Sequence, residues 1–282
     1  MTTDSVEQRV LALPPLRQVI AESRLSARKA LAQNFLLDLN LTRKIARTAG
    51  AIREGTTIEI GPGPGGLTRA LLIEGARHVI AVERDARAIG ALEDLRAIAE
   101  GRLKVIEGDA LKLDVPSLGE TPRRLVANLP YNIATRLIID WLRHRHAFES
   151  ITVMVQKEVA LRLCARAGDA DYGRLSIITG WLANATIAFE VPASAFTPPP
   201  KVTSALVKIT PRAEPLYPAD RPVLEQVTAA AFGQRRKMLR ASLKGLGGEA
   251  LLRAADIDPT ARPETLDIEA FCRLSRVYAE RG

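Results

Sequence analysis

Short apolar, β-branched segments alternate with segments of helical periodicity through the first two thirds of the chain. Five segments predict buried strands: TTIEI (56–60), HVIAVE (78–83), LKVIEG (103–108), RLVAN (124–128) and ITVMVQ (151–156). Three segments between them predict helices: LTRALLIEG (67–75), RAIGALEDLRAIAE (87–100) and IATRLIIDWLRH (133–144). This alternation is typical of parallel βαβ units. We therefore expect an α/β fold with a doubly wound, Rossmann-like sheet that binds ligands beyond the carboxyl ends of its strands.

The alternation stops after about residue 170. Two apolar segments, ATIAFEV (185–191) and TSALVKI (203–209), flank the turn-rich FTPPPKV and predict a hairpin-like pair. RAEPLYPADRP (212–222) carries three prolines and predicts a linker, after which only helical patterns follow. The predicted organisation is a helical N-terminal extension (1–25), an α/β domain (26–211) and a small all-helical C-terminal domain (212–282).

Charge and cysteine content narrow the class of protein. The 282 residues carry a formal net charge of +8, which attracts polyanions such as nucleic acid, although a soluble protein that is merely basic explains the charge equally well. Cys164 and Cys272 match no metal or redox spacing and predict free thiols in a reducing compartment. No apolar run is long enough to cross a bilayer, and the N-terminus lacks a secretory pattern. We expect a cytoplasmic protein with no membrane partner and no metal.

A glycine-rich loop follows the first predicted strand. TIEIGPGPGG (57–66) places four glycines between a strand and a helix, where the backbone must turn sharply and approach a ligand closely. The spacing also fits the dinucleotide fingerprint. A pyrophosphate needs N–H donors that Pro62 and Pro64 lack, whereas S-adenosylmethionine carries no phosphate and loses little. The loop therefore favours S-adenosylmethionine, although such loops also serve as plain turns.

Two acidic residues end the next two strands. Glu83 can accept hydrogen bonds from ribose hydroxyls, as an acid in this position does in dinucleotide folds. Asp109 can accept from an adenine amino group. Either residue alone could be a solvated acid at a strand end. Together with the glycine loop, they predict one pocket of nucleoside size.

The segment Asn128-Leu129-Pro130-Tyr131 follows the fourth predicted strand and suggests the chemistry. An aromatic amine is a poor nucleophile, because its lone pair is delocalised into the ring. Two acceptors, the Asn128 side-chain oxygen and the Pro130 carbonyl, could draw the amine nitrogen toward tetrahedral geometry while Tyr131 stacks on the base. The segment can also be an ordinary turn. After a glycine loop it favours methyl transfer to an adenine amine, by positioning and hydrogen bonding without a strong general base.

With these motifs the chain resembles the ribosomal RNA adenine dimethyltransferase family, and most of all its small-subunit (16S) members. The likeness begins near Ser26 and covers nearly all of the remaining chain. The segments that carry it are QNFLLD (33–38), EIGPGPGGLT (59–68), VERD (82–85), GDAL (108–111), NLPYNI (128–133), FTPPPKVTSALV (196–207) and AFGQRRKMLRASL (231–243). One departure is Ala32, where the family usually has glycine.

The resemblance implies a Rossmann-like methyltransferase that converts two adjacent adenines of 16S ribosomal RNA to N6,N6-dimethyladenosine during ribosome maturation. S-adenosylmethionine is the implied cofactor and the small ribosomal subunit the implied partner, with a monomeric enzyme and no DNA. The residues implied in donor binding are Asn34, Leu36, Gly61, Gly63, Glu83, Asp109 and Asn128. Phe196 is implied as a second aromatic wall of the target-base pocket, opposite Tyr131.

A basic segment in the C-terminal region is the predicted RNA contact. It comprises Arg235, Arg236, Lys237, Arg240 and Lys244. At helical spacing, Arg236, Arg240 and Lys244 line one face that suits a phosphate backbone. A solvated helix face is the plainer interpretation, and the adenine-site motif together with the net charge outweighs it.

Other functions stay open from the residues alone. A large-subunit adenine methyltransferase of the antibiotic-resistance type would share the fold and active site. DNA adenine methyltransferases usually carry Pro-Pro-Tyr after the Asp or Asn, and Leu129 departs from that pattern. An NAD-dependent dehydrogenase would explain the glycine loop and Glu83 but not NLPY. A non-catalytic assembly or transcription factor would keep the basic surface without needing NLPY.

Overall fold

A computed structural model describes residues 5–23, 25, 33–234 and 237–281. Its strands are β1 Phe35–Leu36, β2 Thr56–Ile60, β3 His78–Glu83, β4 Leu103–Glu107, β5 Arg123–Asn128, β6 Ser150–Gln156, β7 Ala183–Val191, β8 Phe196–Thr197 and β9 Ser204–Pro211. Its helices are α1 Val6–Ala12, α2 Leu16–Glu22, α3 Leu39–Thr48, α4 Gly66–Ile73, α5 Ala86–Ala91, α6 Glu93–Ile98, α7 Ala134–Arg143, α8 Lys157–Cys164, α9 Arg174–Leu182, α10 Arg221–Gly233, α11 Leu239–Ser242, α12 Gly248–Ala254 and α13 Ile268–Ala279.

The central sheet has the strand order β4-β3-β2-β5-β6-β9-β7. The pairs from β4 to β6 are parallel, and β9 runs antiparallel to β6. All five predicted strands are present, and the predicted α/β class with a mostly parallel sheet is confirmed. Chain order reverses between β2 and β5, and ligands of such sheets bind at the carboxyl ends near that switch point.

The described chain packs as two compact units. The first contains the described residues up to 157 together with 186–211, and the second contains 158–185 together with the described residues from 212 onward. The predicted boundary at 211/212 is thus also a boundary between units. The second unit takes in α8 and α9 as well, because α9 packs against α10 and α13. The sequence pattern had placed residues 158–185 in the α/β domain.

The predicted linker is pinned within the second unit. The Leu216 N–H donates to the Trp181 carbonyl (2.8 Å), and the Trp181 ring N–H donates to the Tyr217 carbonyl (2.7 Å). The Arg212 N–H donates to the carbonyl of Leu182 (2.8 Å). These bonds hold the proline-rich segment, which the sequence predicts as a linker, against α9.

The N-terminal helices belong to the core of the first unit. Ser5 and Gln8 form a reciprocal capping box at the start of α1. Val6 and Val10 are buried in the same apolar cluster as α3, α4 and α6. The Arg69 guanidinium donates to the Pro14 carbonyl at 2.7 Å, which ties α4 to the turn between α1 and α2. The described part of the extension therefore contains two helices, and α1 packs on the core of the first unit.

One predicted helix, 87–100, is wrong as a single element. It is divided at Leu92 into α5 and α6. The Leu92 N–H donates to the Ile89 carbonyl, a tighter turn than the α-helical one, and Gly90 just before it is a poor helix former. The break accompanies complete burial of the Leu92 side chain. A small residue is needed opposite it, since a Cβ on Gly65 would lie 2.7 Å from Leu92 Cδ2.

Candidate functional site

A cleft opens where β4, β3, β2 and β5 end. Ligands of α/β folds bind at this edge of the sheet, at the carboxyl ends of the strands. Every residue predicted to bind the donor lines it: Asn34, Leu36, Gly61, Gly63, Glu83, Asp109 and Asn128. Pro130 also lines the cleft, whereas Tyr131 and Phe196 are not among its lining residues. The motifs of four strand ends and the segment around β1 therefore meet in one place.

The glycine loop has the backbone that its sequence predicts. Gly61, Gly63 and Gly65 have φ of +71°, +53° and +89°, a region that side chains rarely adopt. Gly65 precedes the first residue of α4. A Cβ on Gly63 would lie 3.0 Å from the Phe35 ring, and one on Gly66 would lie 2.5 Å from the Leu36 carbonyl oxygen. Glycine is thus required both for the turn and for close packing against β1.

Glu83 is held rigidly at the end of β3. Its Oε1 accepts the backbone N–H groups of Arg84 (2.8 Å) and Asp85 (2.9 Å), and its Oε2 accepts the N–H of Gly63 (3.1 Å). The residue is 6% exposed. A carboxylate offers about four acceptor positions, so these contacts leave one on Oε2. Glu83 therefore both anchors the glycine loop and keeps an acceptor at the cleft.

Asp109 lies beside Glu83 through the backbone. The Gly108 N–H donates to the Glu83 carbonyl (2.8 Å), which joins the ends of β3 and β4. Asp109 Oδ1 accepts the Leu111 N–H (3.0 Å) in a local turn. Its second carboxylate oxygen can then accept from a ligand in the cleft.

The segment before β1 is tied to the same edge. The Gln33 side-chain amide donates to Asp85 Oδ2 at 3.2 Å. Arg87 forms a salt bridge with the same carboxylate at 2.6 Å, and these contacts, the guanidinium first among them, lower the pKa of Asp85 to about 2. Asp85 is therefore anionic at neutral pH, and it keeps Gln33, the first residue of QNF, against the end of β3.

Glu59 is a cleft residue that the sequence reasoning missed. It lies within β2, is 1% exposed, and accepts the Thr68 hydroxyl at 2.7 Å. Burial, and secondarily the neighbouring carboxylate of Glu83, raise the pKa of Glu59 to about 8. Glu59 is therefore protonated at neutral pH. The available signal was a single acid within an apolar strand, immediately before the glycine loop.

The Asn128 side chain has a defined orientation. Its Nδ2 donates to the backbone carbonyl of Asn34 at 3.0 Å. A carbonyl can only accept, so this contact assigns the amide nitrogen and turns the Oδ1 acceptor away from Asn34. The predicted acceptor is thus present, and the segment around β1 holds it in position.

The second predicted acceptor is already used. The Pro130 carbonyl accepts the N–H of Ile133 (3.2 Å) and that of Ala134 (3.1 Å), where the chain turns into α7. Both of its lone pairs are thereby engaged. The carbonyl of Leu129, one residue earlier, accepts no backbone N–H from the described part of the chain. The structure thus contradicts the prediction that the Pro130 carbonyl is available to an amine.

The two predicted aromatic walls differ in their surroundings. The Tyr131 hydroxyl is 2.7 Å from Ser204 Oγ at the start of β9, and partial burial raises the pKa of this phenol. Phe196 is 3% exposed and lies opposite Leu36 in the two-stranded pairing of β1 with β8. Its ring belongs to the apolar core of the first unit, so it offers no open face.

The predicted basic helix face is wrong as a continuous helix. Helix α10 ends at Gly233, α11 spans only Leu239–Ser242, and Lys244 begins a separate 3-10 turn. Arg235 and Arg236 lie outside the described residues. Lys237, Arg240 and Lys244 are all exposed. Met238, between α10 and α11, has an extended backbone (φ −65°, ψ 152°), which excludes helical spacing across it.

The described residues also bear on membrane and metal binding. Across the part of the chain that the structure describes, no helix combines the length and the apolarity of a membrane span. The same residues bring together no group of three or more His, Cys, Asp or Glu side chains that could hold a metal ion.

The fold and the cleft define a Rossmann-like methyltransferase. Among solved structures, a dimethyladenosine transferase from Plasmodium falciparum is similar with a TM-score of 0.71 and 29% identity, covering 84% of this chain and 94% of that one. The 23S rRNA methyltransferase ErmE is similar with a TM-score of 0.64 and 31% identity, covering 87% and 100%.

Sequence comparison identifies the family. The profile of ribosomal RNA adenine dimethylases matches residues 24–280. A ribosomal RNA small subunit methyltransferase A from Rhodospirillum rubrum is 62% identical, covering 96% of this chain and 94% of the relative. A protein of the same name from Sinorhizobium fredii is 58% identical, covering 93% and 90%. The chain belongs to the ribosomal RNA adenine dimethylase family, as the resemblance in its motifs predicts.

Proposed function

We propose that this enzyme transfers methyl groups from S-adenosylmethionine to the N6 amine of two adjacent adenines in 16S ribosomal RNA. Family membership supports the reaction type. The two relatives named for the small ribosomal subunit, at 62% and 58% identity, support the substrate. The observation that carries the proposal is the Asn128 amide, whose Nδ2 is bound to the Asn34 carbonyl and whose Oδ1 is left to accept an amine N–H.

We assign the donor to the cleft at the carboxyl ends of the strands. The donor supplies an electrophilic methyl group, and the protein binds and orients it. Glu83 Oε2 keeps an acceptor for a ribose hydroxyl, and Asp109 keeps one for an adenine amino group. Around Gly61 a side chain would meet nothing within 4 Å, so the loop leaves open space in the cleft. The proposed donor site is completed by Gly63, Asn34 and Leu36, which also line the cleft.

At the target amine the protein's contribution is orientation. Asn128 Oδ1 accepts one N–H and draws the lone pair out of conjugation with the ring. Because the Pro130 carbonyl is occupied, we assign the second acceptor to the Leu129 carbonyl in the same turn. Pro130 then acts through its ring, which restrains the turn. No general base is required before transfer, because acceptors of this kind stabilise the developing charge on nitrogen. The N6 lone pair would form the new N–C bond as the S–C bond of the donor breaks with its electrons on sulfur, and the methylated amine would then release one N–H proton to solvent.

The target base is proposed to stack on Tyr131. The contact with Ser204 restrains its ring, so that stacking costs little conformational entropy. Phe196 is assigned a supporting role, since its pairing with Leu36 holds β1 in position. Asn34, next to β1, in turn holds the Asn128 amide.

The C-terminal helical region is proposed to bind the RNA backbone. Its contacts would come from Arg235, Arg236, Lys237, Arg240 and Lys244. Of these, the described residues Lys237, Arg240 and Lys244 lie on separate short elements. The proposed substrate is the small ribosomal subunit or its 16S RNA, bound by an enzyme monomer. Neither DNA nor a membrane has a part in this proposal.

The test is methyl transfer from labelled S-adenosylmethionine to small-subunit particles that lack the modification. We expect label in adenine with the native enzyme and a loss of at least about a hundredfold in kcat with Asn128→Ala, since a single oriented acceptor contributes on this scale. The RNA affinity of the folded variant should change little. Near-normal turnover of Asn128→Ala would overturn the assignment.

A further inference from the structure

A second groove lies next to the cleft, on the solvent side of α7. Its lining residues are Leu111, Asn132, Thr135, Arg136, Ile139, Asp140 and Arg143. The cleft and the groove draw neighbouring residues from the same two segments. Asp109 and Pro130 line the cleft, whereas Leu111 and Asn132 line the groove. The groove therefore begins next to the segment Asn128–Tyr131 and continues along the exposed face of α7.

The charge of this groove is positive. Arg136 is exposed and has no ion-pair partner among the described residues. Arg143 is exposed and lies 3.7 Å from Asp140, a loose surface contact that leaves guanidinium donors for a ligand. The two arginines are seven residues apart, which is about 10 Å along a helix. They can thus follow one nucleic-acid strand over more than one phosphate.

The rest of the lining suits a nucleotide. Ile139 and Leu111 add apolar lining to the groove. Asn132 and Thr135 add a side-chain amide and a hydroxyl. Arginine is well suited to phosphate, because its guanidinium can donate two parallel hydrogen bonds.

We propose that this α7 groove binds the RNA strand adjoining the target adenine, with Arg136 and Arg143 contacting its phosphates. The inference rests on the proposed function and adds a subsite to it. An unpaired strand must leave the active site on one side of the flipped base, and the groove offers it a cationic path. Binding there would set which adenine of the strand reaches Asn128.

The experiment compares Arg136→Ala/Arg143→Ala with a matched control, Arg96→Ala/Arg162→Ala. The control removes two exposed arginines, each paired with a nearby glutamate on its own helix. We expect Arg136→Ala/Arg143→Ala, the α7 variant, to raise KM for the RNA substrate about tenfold and to leave kcat and donor affinity unchanged. It should also reduce the slope of log affinity against log salt by about 1.4, because each of the two lost single-strand phosphate contacts contributes about 0.7. The control should match the native enzyme.

A charge-conserving variant and a second substrate complete the experiment. Arg136→Lys/Arg143→Lys keeps both charges and should restore most of the salt slope on a single-stranded RNA fragment that contains the target. An α7 variant with native KM and native slope would overturn the inference, provided that the native enzyme methylates the particle. A defect seen only on whole particles and absent on the bare fragment would also overturn it, in favour of an acidic protein partner. Failure of the native enzyme to methylate adenine would instead count against the proposed function.

Discussion

At the residue scale, Glu59 links the donor cleft to the stability of the fold. Its carboxyl is buried between β2 and α4, and its neighbours in the strand register are Ala81 and Val126, both apolar. Glu83 adds a second carboxylate nearby. The one hydrogen bond from Thr68 cannot offset the loss of hydration, so the neutral acid is the stable form at pH 7.

This burial predicts a pH dependence that can be measured. The pKa of Glu59 rises from 4.5 in the unfolded chain to about 8 in the folded one. Between these values only the unfolded state loses the proton, so stability falls as pH rises, by up to about 1.4 kcal/mol per pH unit from this group. Below the lower value and above the higher one its contribution is constant.

The corresponding variant is Glu59→Gln, which keeps an acceptor for Thr68 and cannot ionise. Denaturant unfolding between pH 5.5 and 7.5 should show a flatter dependence for the variant than for the native chain. Glu107→Gln, a substitution at an exposed acid in β4, is the control and should leave the native dependence intact. Identical pH dependences for the native chain and Glu59→Gln would mean that Glu59 is ionised in the folded protein.

Glu83 has a double role, and substitution should separate the two. Glu83→Ala removes the acceptor for the donor and leaves three backbone N–H groups without their carboxylate. We expect donor affinity to fall by about 2–3 kcal/mol, a range typical of lost charge-assisted hydrogen bonds. Calorimetry with S-adenosylmethionine measures this, and circular dichroism establishes that the variant is folded. Unchanged donor affinity in a folded variant would contradict the assignment.

At the scale of elements, strands are more predictable than contacts. The strands from 56–60 to 151–156 were predicted from their sequence within one residue at each end, because buried parallel strands are continuous apolar runs. Helix α9 has apolar residues nearly all round and shows no amphipathic period to recognise. The use of the Pro130 carbonyl by α7 depends on backbone hydrogen bonds that no residue pattern records.

In the site, too, residues at strand ends could be predicted from the sequence and contacts between distant segments could not. Types of residue at strand ends predicted Glu83, Asp109 and Asn128 as cleft residues, since parallel strands bring their carboxyl ends together. The family resemblance implied Phe196 as a second aromatic wall of the target-base pocket, whereas the structure buries it where β1 pairs with β8, two residues each. Such short pairings carry too few residues for a pattern. Contacts between distant segments are therefore the part that the sequence leaves open.

The short elements of the C-terminal basic segment lead to a prediction about RNA binding. Lys237, Arg240 and Lys244 occupy a loop, a short helix and a 3-10 turn, so they act as separate cations. Replacing all three by Ala should lower RNA affinity and reduce the salt slope by about 2, three contacts at about 0.7 each. Filter binding at several salt concentrations measures the slope, and calorimetry should show native donor affinity. An unchanged slope would mean that these residues are ordinary solvent-exposed cations that do not contact the RNA.

At the scale of the whole molecule, two properties of the reaction can be tested: the particle that is methylated and the number of methyl groups added. The similar structures include a dimethyladenosine transferase and a 23S rRNA methyltransferase, so the fold alone does not select the substrate. Sequence identity of 62% to a small-subunit methyltransferase favours the small particle. We expect the residues around the target amine to determine how many methyl groups are added.

We predict that both hydrogens of the target amine are replaced. Asn128 Oδ1 and the Leu129 carbonyl are neutral acceptors, so after one transfer the remaining N–H can be held by either while the new methyl takes the other position. A charged carboxylate at this site would instead penalise the lost N–H more strongly. The measurement is to incubate unmodified small and large particles separately with enzyme and donor, digest the RNA and identify nucleosides by mass. Dimethyladenosine from the small particle, with little product from the large one, is the expected outcome. Monomethyladenosine as the end product would show that the site cannot accept a methylated amine, and preference for the large particle would place the substrate with that of ErmE.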